Sequence, residues 1–123
     1  MTSLIACLTT GKGSWAQVNQ LIRSQPWNLI FLITNDFGKQ NYTPDATTKD
    51  KTTMIVINDQ LALHEIISHM VTALQNKITD LEVAVNMISG SGKEHMALLA
   101  ALIKCGYGFR LVGVTAAGQY EEL

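Results

Sequence analysis

Short continuous apolar runs alternate along this chain with segments whose apolar positions recur at helical spacing. Residues 3–9 (SLIACLT) read as a strand buried on both faces. The following Thr-Thr-Gly-Lys-Gly-Ser stretch breaks that run. From Ser14, a residue type suited to an N-cap, Trp15, Val18, Leu21 and Ile22 share one helix face, and Pro26 closes the helix. Residues 27–34 (WNLIFLIT) and 53–57 (TMIVI) read as the second and third strands. Between them, the polar segment 35–52, with Gly38 and Pro44, reads as a long loop over the top of the sheet. Asn58 or Asp59 then caps a helix whose face is Leu63, Ile66, Ile67, Met70, Val71 and Leu74. A fourth strand, 81–88 (LEVAVNMI), runs through Ser-Gly-Ser-Gly-Lys into a helix carrying Met96, Leu99, Leu102 and Ile103, ended by Gly106. Residues 109–115 (FRLVGVT) make a fifth strand, followed by a polar tail, GQYEEL.

This alternation predicts an α/β fold: a single Rossmann-like three-layer domain over residues 1–123. Its mostly parallel five-stranded sheet carries helices on both faces, joined by right-handed crossovers. If the strand order is 3-2-1-4-5, strands one and four are central neighbours. The loops that follow them then lie side by side at the crevice where such sheets bind ligands.

Composition narrows the classes of function. The chain is 47% hydrophobic and only 15% charged, against about 25% charged in an average domain. That leaves enough apolar surface to hint at a homodimer face. A formal net charge of -1 argues against general DNA binding but not against a small phosphorylated ligand. Cys7 and Cys105 lie far apart with no partner at metal-ligand spacing, so they read as small hydrophobes, and no metal or other cofactor is expected. The N-terminal run has no basic leader and is too short to span a membrane, which predicts a cytoplasmic protein without membrane contact.

Two glycine-rich loops carry the candidate chemistry. In the first, Gly11 and Gly13 let the backbone turn and approach a ligand, Thr10 and Ser14 add hydroxyls, and Lys12 adds charge ahead of a helix N-terminus. Taken alone, this loop reads more simply as a glycine turn with a serine cap. In the second, Ser89, Gly90, Ser91 and Gly92 bracket the turn, and Lys93 stands in the first helical turn, where a cation opposes the helix dipole. An anion to be held explains that lysine better than helix stability does. The loop is not a Walker A sequence, because Met87 stands at the first glycine position and Glu94 replaces the magnesium-binding hydroxyl. The first loop lacks the dinucleotide fingerprint, since no third glycine and no strand-ending acid are present, Asp36 lying beyond Thr34. His95 offers a general acid or base near the second loop, or a plain solvent-facing side chain. His64 and His69, five residues apart, read as surface residues. Trp15 and Trp27 read as core or interface, with Trp15 close enough to the first loop to line a pocket, and Phe37 and Tyr42 could stack on a base if the long loop folds over the site.

With a Gly/Ser loop after the first strand and Ser-Gly-Ser-Gly-Lys after the fourth, the sequence resembles the CARF domains. These are CRISPR-associated Rossmann-like sensors that typically dimerise and bind cyclic oligoadenylates. The family's hallmark is similar to Asn-x-Thr-Gly-Gly-Thr-Lys before an Ala- and Leu-rich helix. Here the stretch runs Asn86-Met87-Ile88-Ser89-Gly90-Ser91-Gly92-Lys93, and MALLAALIKCG follows shortly after. Ser89, Gly90 and Lys93 fall in register with the family's Thr, first Gly and Lys. Ser91-Gly92 replaces the Gly-Thr pair, and Asn86 lies one residue early.

The resemblance implies a ligand-binding set of Thr9, Thr10, Gly11, Lys12, Gly13 and Ser14 on one loop and Ser89, Gly90, Ser91, Gly92 and Lys93 on the other. It also implies a homodimer that closes a phosphate-lined cavity, with a role in type III CRISPR antiviral signalling. Within the family the chain is either a stand-alone binding protein or a metal-independent ring nuclease. In a ring nuclease the ligand's 2′-OH attacks the adjacent phosphate. Lys93 would then stabilise charge, Thr10 or Ser14 would hold ribose or phosphate, and His95 is the remaining candidate base. Outside the family, the loops fit an enzyme or binding protein for another small phosphorylated nucleotide, or a non-catalytic interaction subunit.

Overall fold

The computed structural model describes residues 2–9 and 12–123, apart from the Lys12 side chain. Strand β1 (Ser3–Cys7) is buried along its whole length. Its side chains alternate between two cores, Leu4 and Ala6 on one face of the sheet, Ile5 and Cys7 on the other. β2 (Ile30–Thr34) repeats the pattern, with Ile30 and Leu32 opposed to Phe31 and Ile33, as does β4 (Glu82–Asn86), with Ala84 opposed to Val83 and Val85. Each continuous apolar run is therefore two period-two patterns interleaved, as a sheet covered on both faces requires.

Helix α1 (Lys12–Ser24) covers the first core with Trp15, Val18, Leu21 and Ile22. Helices α3 (Leu63–Leu74) and α4 (Gly92–Cys105) cover the second with Ile66, Met70 and Leu74, and with Ala97, Leu98, Ala101 and Leu102. Gly106 ends α4 at φ 76°, the left-handed position expected of a glycine there. With β3 (Thr52–Val56), β5 (Gly108–Val114) and β6 (Tyr120–Glu122), the sheet order is β3-β2-β1-β4-β5-β6. All pairs are parallel except the last.

The sheet therefore has six strands rather than the expected five. The tail residues Tyr120–Glu122 pair antiparallel with β5, Tyr120 opposite Val114 and Glu122 opposite Val112. A turn with Gly118 at φ 80° brings them back, and the Tyr120 ring packs 6.1 Å from that of Trp27. A short edge strand needs only backbone pairing and one partly buried side chain, so its composition gives little apolar signal.

The segment expected to be a loop, 35–52, contains helix α2 (Asp36–Asn41) and a 3-10 turn, Lys49–Lys51. Asn35 caps α2 by accepting the Gly38 N–H at 2.9 Å. A Cβ on the buried Gly38 would stand 1.8 Å from Thr34 Oγ1 and 2.9 Å from the Leu8 carbonyl oxygen. Glycine alone thus lets α2 settle on the ends of the central strands. Tyr42 is buried and donates its hydroxyl to Asn19 Oδ1 at 2.6 Å.

Two helices also start elsewhere than their sequence patterns suggest, α1 earlier and α3 later. α1 begins at Lys12, so Ser14 lies inside its first turn rather than capping it. α3 begins at Leu63 after Ala62, which offers no side-chain cap. Asn58 instead accepts the Gln60 N–H at 3.0 Å, forming a turn ahead of the helix.

Candidate functional site

β1 and β4 are neighbours on which the direction of strand succession reverses, so the crevice at their carboxyl ends is the topological switch point. The two glycine-rich loops meet there. The Thr9 N–H donates to Ser89 Oγ at 3.1 Å, and the Thr9 hydroxyl donates to the Glu94 carboxyl oxygen Oε2. Thr9, Ser89 and Glu94 are all buried, so they form the floor of the crevice rather than its open wall.

Gly90 sits over this floor at φ 103°, where L side chains are strained. A Cβ there would fall 2.8 Å from Glu94 Oε2, 3.1 Å from His95 Nε2 and 3.2 Å from Thr9 Oγ1. The loop therefore needs glycine for space as well as for conformation. Ser91 caps α4, its hydroxyl accepting the Glu94 N–H at 3.3 Å. The Ser-x-x-Glu pattern would ordinarily return the glutamate side chain to the cap, but Glu94 turns inward to Thr9. Burial, and after it the nearby Glu94 carboxylate, push the Cys7 thiol below this floor up to about 12.

His95 is half-buried, with Nε2 2.8 Å from the Ser89 carbonyl oxygen. A carbonyl can only accept, so Nε2 carries the proton, and in neutral imidazole Nδ1 is left as the basic nitrogen. Ser91, Gly92 and Lys93 are exposed at the start of α4. The Lys93 ammonium donates to the carbonyls of Asp59 at 3.0 Å and Leu61 at 2.6 Å, reaching across to the β3–α3 connection. On the other loop, Gly13 is exposed with open space around its Cα, and Ser14 is half-buried in the first turn of α1. Thr10, Gly11 and the Lys12 side chain lie outside the described residues.

A second concavity adjoins the crevice at the carboxyl ends of β2 and β3. It has a volume of about 650 Å³ and is lined by the start of α2 and by the β3–α3 connection. Phe37 projects there, 48% exposed, while Trp15 behind it is buried, their ring centroids 5.9 Å apart. Trp15 packs in turn edge-on against Tyr42 at 5.8 Å. Trp15 is thus a core residue backing the cleft, and the exposed His69 adds to the cleft wall. Sequence reasoning missed this cleft, because its lining residues come from separate segments. Glu94 carried one usable signal, the Ser91-x-x-Glu94 spacing.

Among the described residues no cluster of His, Cys, Asp and Glu could hold a metal ion, and no helix is long and apolar enough to cross a membrane. No family model and no curated protein sequence matches the chain.

Proposed function

We propose that this chain is a CARF-like cytoplasmic protein that binds a cyclic oligoadenylate between two copies of itself in type III CRISPR signalling. The observation that carries this reading is the meeting of the two glycine-rich loops at Thr9 and Ser89. It sets the N-termini of α1 and α4 beside one crevice, and helix N-termini offer unpaired N–H groups and a positive dipole end to phosphate. The motif residues that support the resemblance, Ser89, Gly90 and Lys93, lie on that loop and at the start of that helix. A second copy is supported by the outward face of α4, where Met96 (60% exposed) and Ile103 (71% exposed) lie two turns apart with the half-buried Leu99 between them.

If the ligand is also cleaved, its 2′-OH would attack the adjacent phosphorus and give up its proton to His95 Nδ1. The O5′ leaves and takes a proton from water, giving a linear product ending in a 2′,3′-cyclic phosphate. No metal is needed for that step, because alignment and charge stabilisation by the loop N–H groups and Lys93 serve in its place.

Incubation of the purified protein with cyclic tetra- or hexa-adenylate in EDTA tests the reading. Micromolar binding, weakened by Lys93→Ala, is expected, and the absence of binding to either ring refutes it. Binding without product assigns a sensor; appearance of the cyclic phosphate end assigns a ring nuclease. A second reading, a protein for one small phosphorylated nucleotide held within a single subunit, is favoured by the 650 Å³ cleft that one chain forms by itself, which would take the base while residues 89–93 beside it take the phosphate. A monomeric stoichiometry in the same binding experiment would select it.

A further inference from the structure

The cleft between α2 and the β3–α3 connection differs in chemistry from the phosphate crevice beside it. Two carboxylates, Asp36 and Asp59, and one imidazole, His69, are its titratable lining groups, with no lysine or arginine among them. Such a lining repels phosphate but suits a neutral, hydrogen-bonding, flat group. Its volume of about 650 Å³ lies within the range of roughly 300–1,000 Å³ usual for small-molecule sites.

Three features define what would fit. Phe37 supplies a half-exposed aromatic face backed by the buried Trp15, which packs in turn on Tyr42, and such faces stack nucleobases. Asn35 and Asn58 have their side-chain oxygens fixed by the N–H groups of Gly38 and Gln60. Each therefore keeps its NH₂ as a donor, and neither NH₂ has a partner among the described residues. Asp36 and Asp59 add acceptors. A donor beside an acceptor matches the edge of a base that carries an exocyclic amine next to a ring-nitrogen acceptor, as adenine and cytosine do, and the larger purine face overlaps Phe37 more fully.

The cleft is also tied to the phosphate crevice. Lys93, in the first turn of α4, holds the cleft's rim through the carbonyls of Asp59 and Leu61. A nucleotide whose phosphate rests at residues 89–93 would find the cleft next to it. We infer that this cleft is a nucleobase subsite for an adenine, stacked on Phe37 and read by the Asn and Asp side chains at its rim. The inference rests on the preceding reading for the placement of the phosphate and for adenine rather than cytosine, not for the cleft's affinity for an amino-bearing base.

The test uses probes that separate the two. Isotope-labelled full-length protein is titrated, followed by NMR, with adenosine, with inosine (a carbonyl replaces the amine), with ribose 5-phosphate, and with cyclic tetra-adenylate. Adenosine should shift the amide signals of Phe37, Asn58 and His69, and inosine should bind at least ten-fold more weakly. Ribose 5-phosphate should instead shift residues 89–93. Phe37→Ala should weaken adenosine at least ten-fold. Asn58→Asp, which keeps the acceptor for the Gln60 N–H but removes the donor, should do the same without disturbing the turn. Adenosine that leaves the cleft signals unmoved, or that binds no better than inosine, overturns the subsite. Adenosine in the cleft with no response of residues 89–93 to ribose 5-phosphate or the cyclic ligand overturns the phosphate site and leaves the subsite standing.

Discussion

The two glycines at the start of α4 should respond in opposite ways to the same substitution. At Gly90, alanine must hold φ near 103°, a region that costs an L-residue about 1–2 kcal/mol even in the better part of the left-handed basin. Its Cβ would also lie 2.8 Å from Glu94 Oε2. Glu94 is 2% exposed and bonded to the Thr9 hydroxyl, so it has little room to retreat. Displacing it breaks a buried hydrogen bond, at about 1–3 kcal/mol. The total is about 3 kcal/mol, which for a chain of this length lowers the melting temperature by about 10 °C.

Gly92, two residues on, has nothing within 4 Å of its added Cβ and begins the helix. There alanine should be neutral or stabilising by up to about 1 kcal/mol. Thermal unfolding by circular dichroism of wild type, Gly90→Ala and Gly92→Ala measures both. If the two variants melt within about 2 °C of each other, on the entropy scale used above, the account of a crowded, left-handed Gly90 is wrong.

Other predictions follow from separate parts of the molecule. Gly38→Ala drives a Cβ into Thr34 Oγ1 and the Leu8 carbonyl, and should destabilise by about 2–3 kcal/mol in a urea titration, as overpacking does. The Cys7 thiol, at about 12 in the folded chain against 9.0 ordinarily, keeps its proton where the unfolded chain has lost it. Its contribution to stability is therefore full below pH 9.0 and declines as pH rises towards 12. Between pH 9 and 10.5, wild type should lose up to about 1.4 kcal/mol more per pH unit than Cys7→Ala in urea titrations; equal slopes would contradict the burial of this thiol. Lys93→Met removes two bonds to the β3–α3 connection. It should speed hydrogen exchange at residues 58–62 while changing global stability by less than about 1 kcal/mol, because the lysine is exposed.

The central strands were legible in the sequence because β1, β2 and β4 are covered on both faces, so both side-chain sets had to be apolar, whereas their order entered as the assumption that the structure bears out. The adjacency of the two glycine loops followed from that order alone. α2 was hidden because its anchoring is done by Gly38 and Asn35, residue types that ordinarily signal a loop, and by contact with strand ends distant in sequence. β6 was hidden because an edge strand buries little. The floor of the crevice shows the same limit. Thr9 and Ser89 looked like ligand contacts by type, and the structure spends them on each other and on Glu94. Lys93 marked the right loop, yet its reach to Asp59 and Leu61 depends on a connection more than thirty positions away.

The bond between Thr9 and Ser89 spans 80 positions of the chain, and this bears on how the molecule reaches its native state. β1, β2 and β3 are contiguous in sequence and can pair as the chain collapses, whereas β4 must return to the far side of β1 over a much longer loop. Contacts of large sequence separation close slowly, since the chain entropy is lost before the contact forms. The crevice exists only once β4 has docked on β1, so a chain with just its first three strands paired has no site. It also leaves one edge of β1 unpaired, an apolar strand edge that other chains can add to. Ligands that grip both loops would stabilise only the fully docked state.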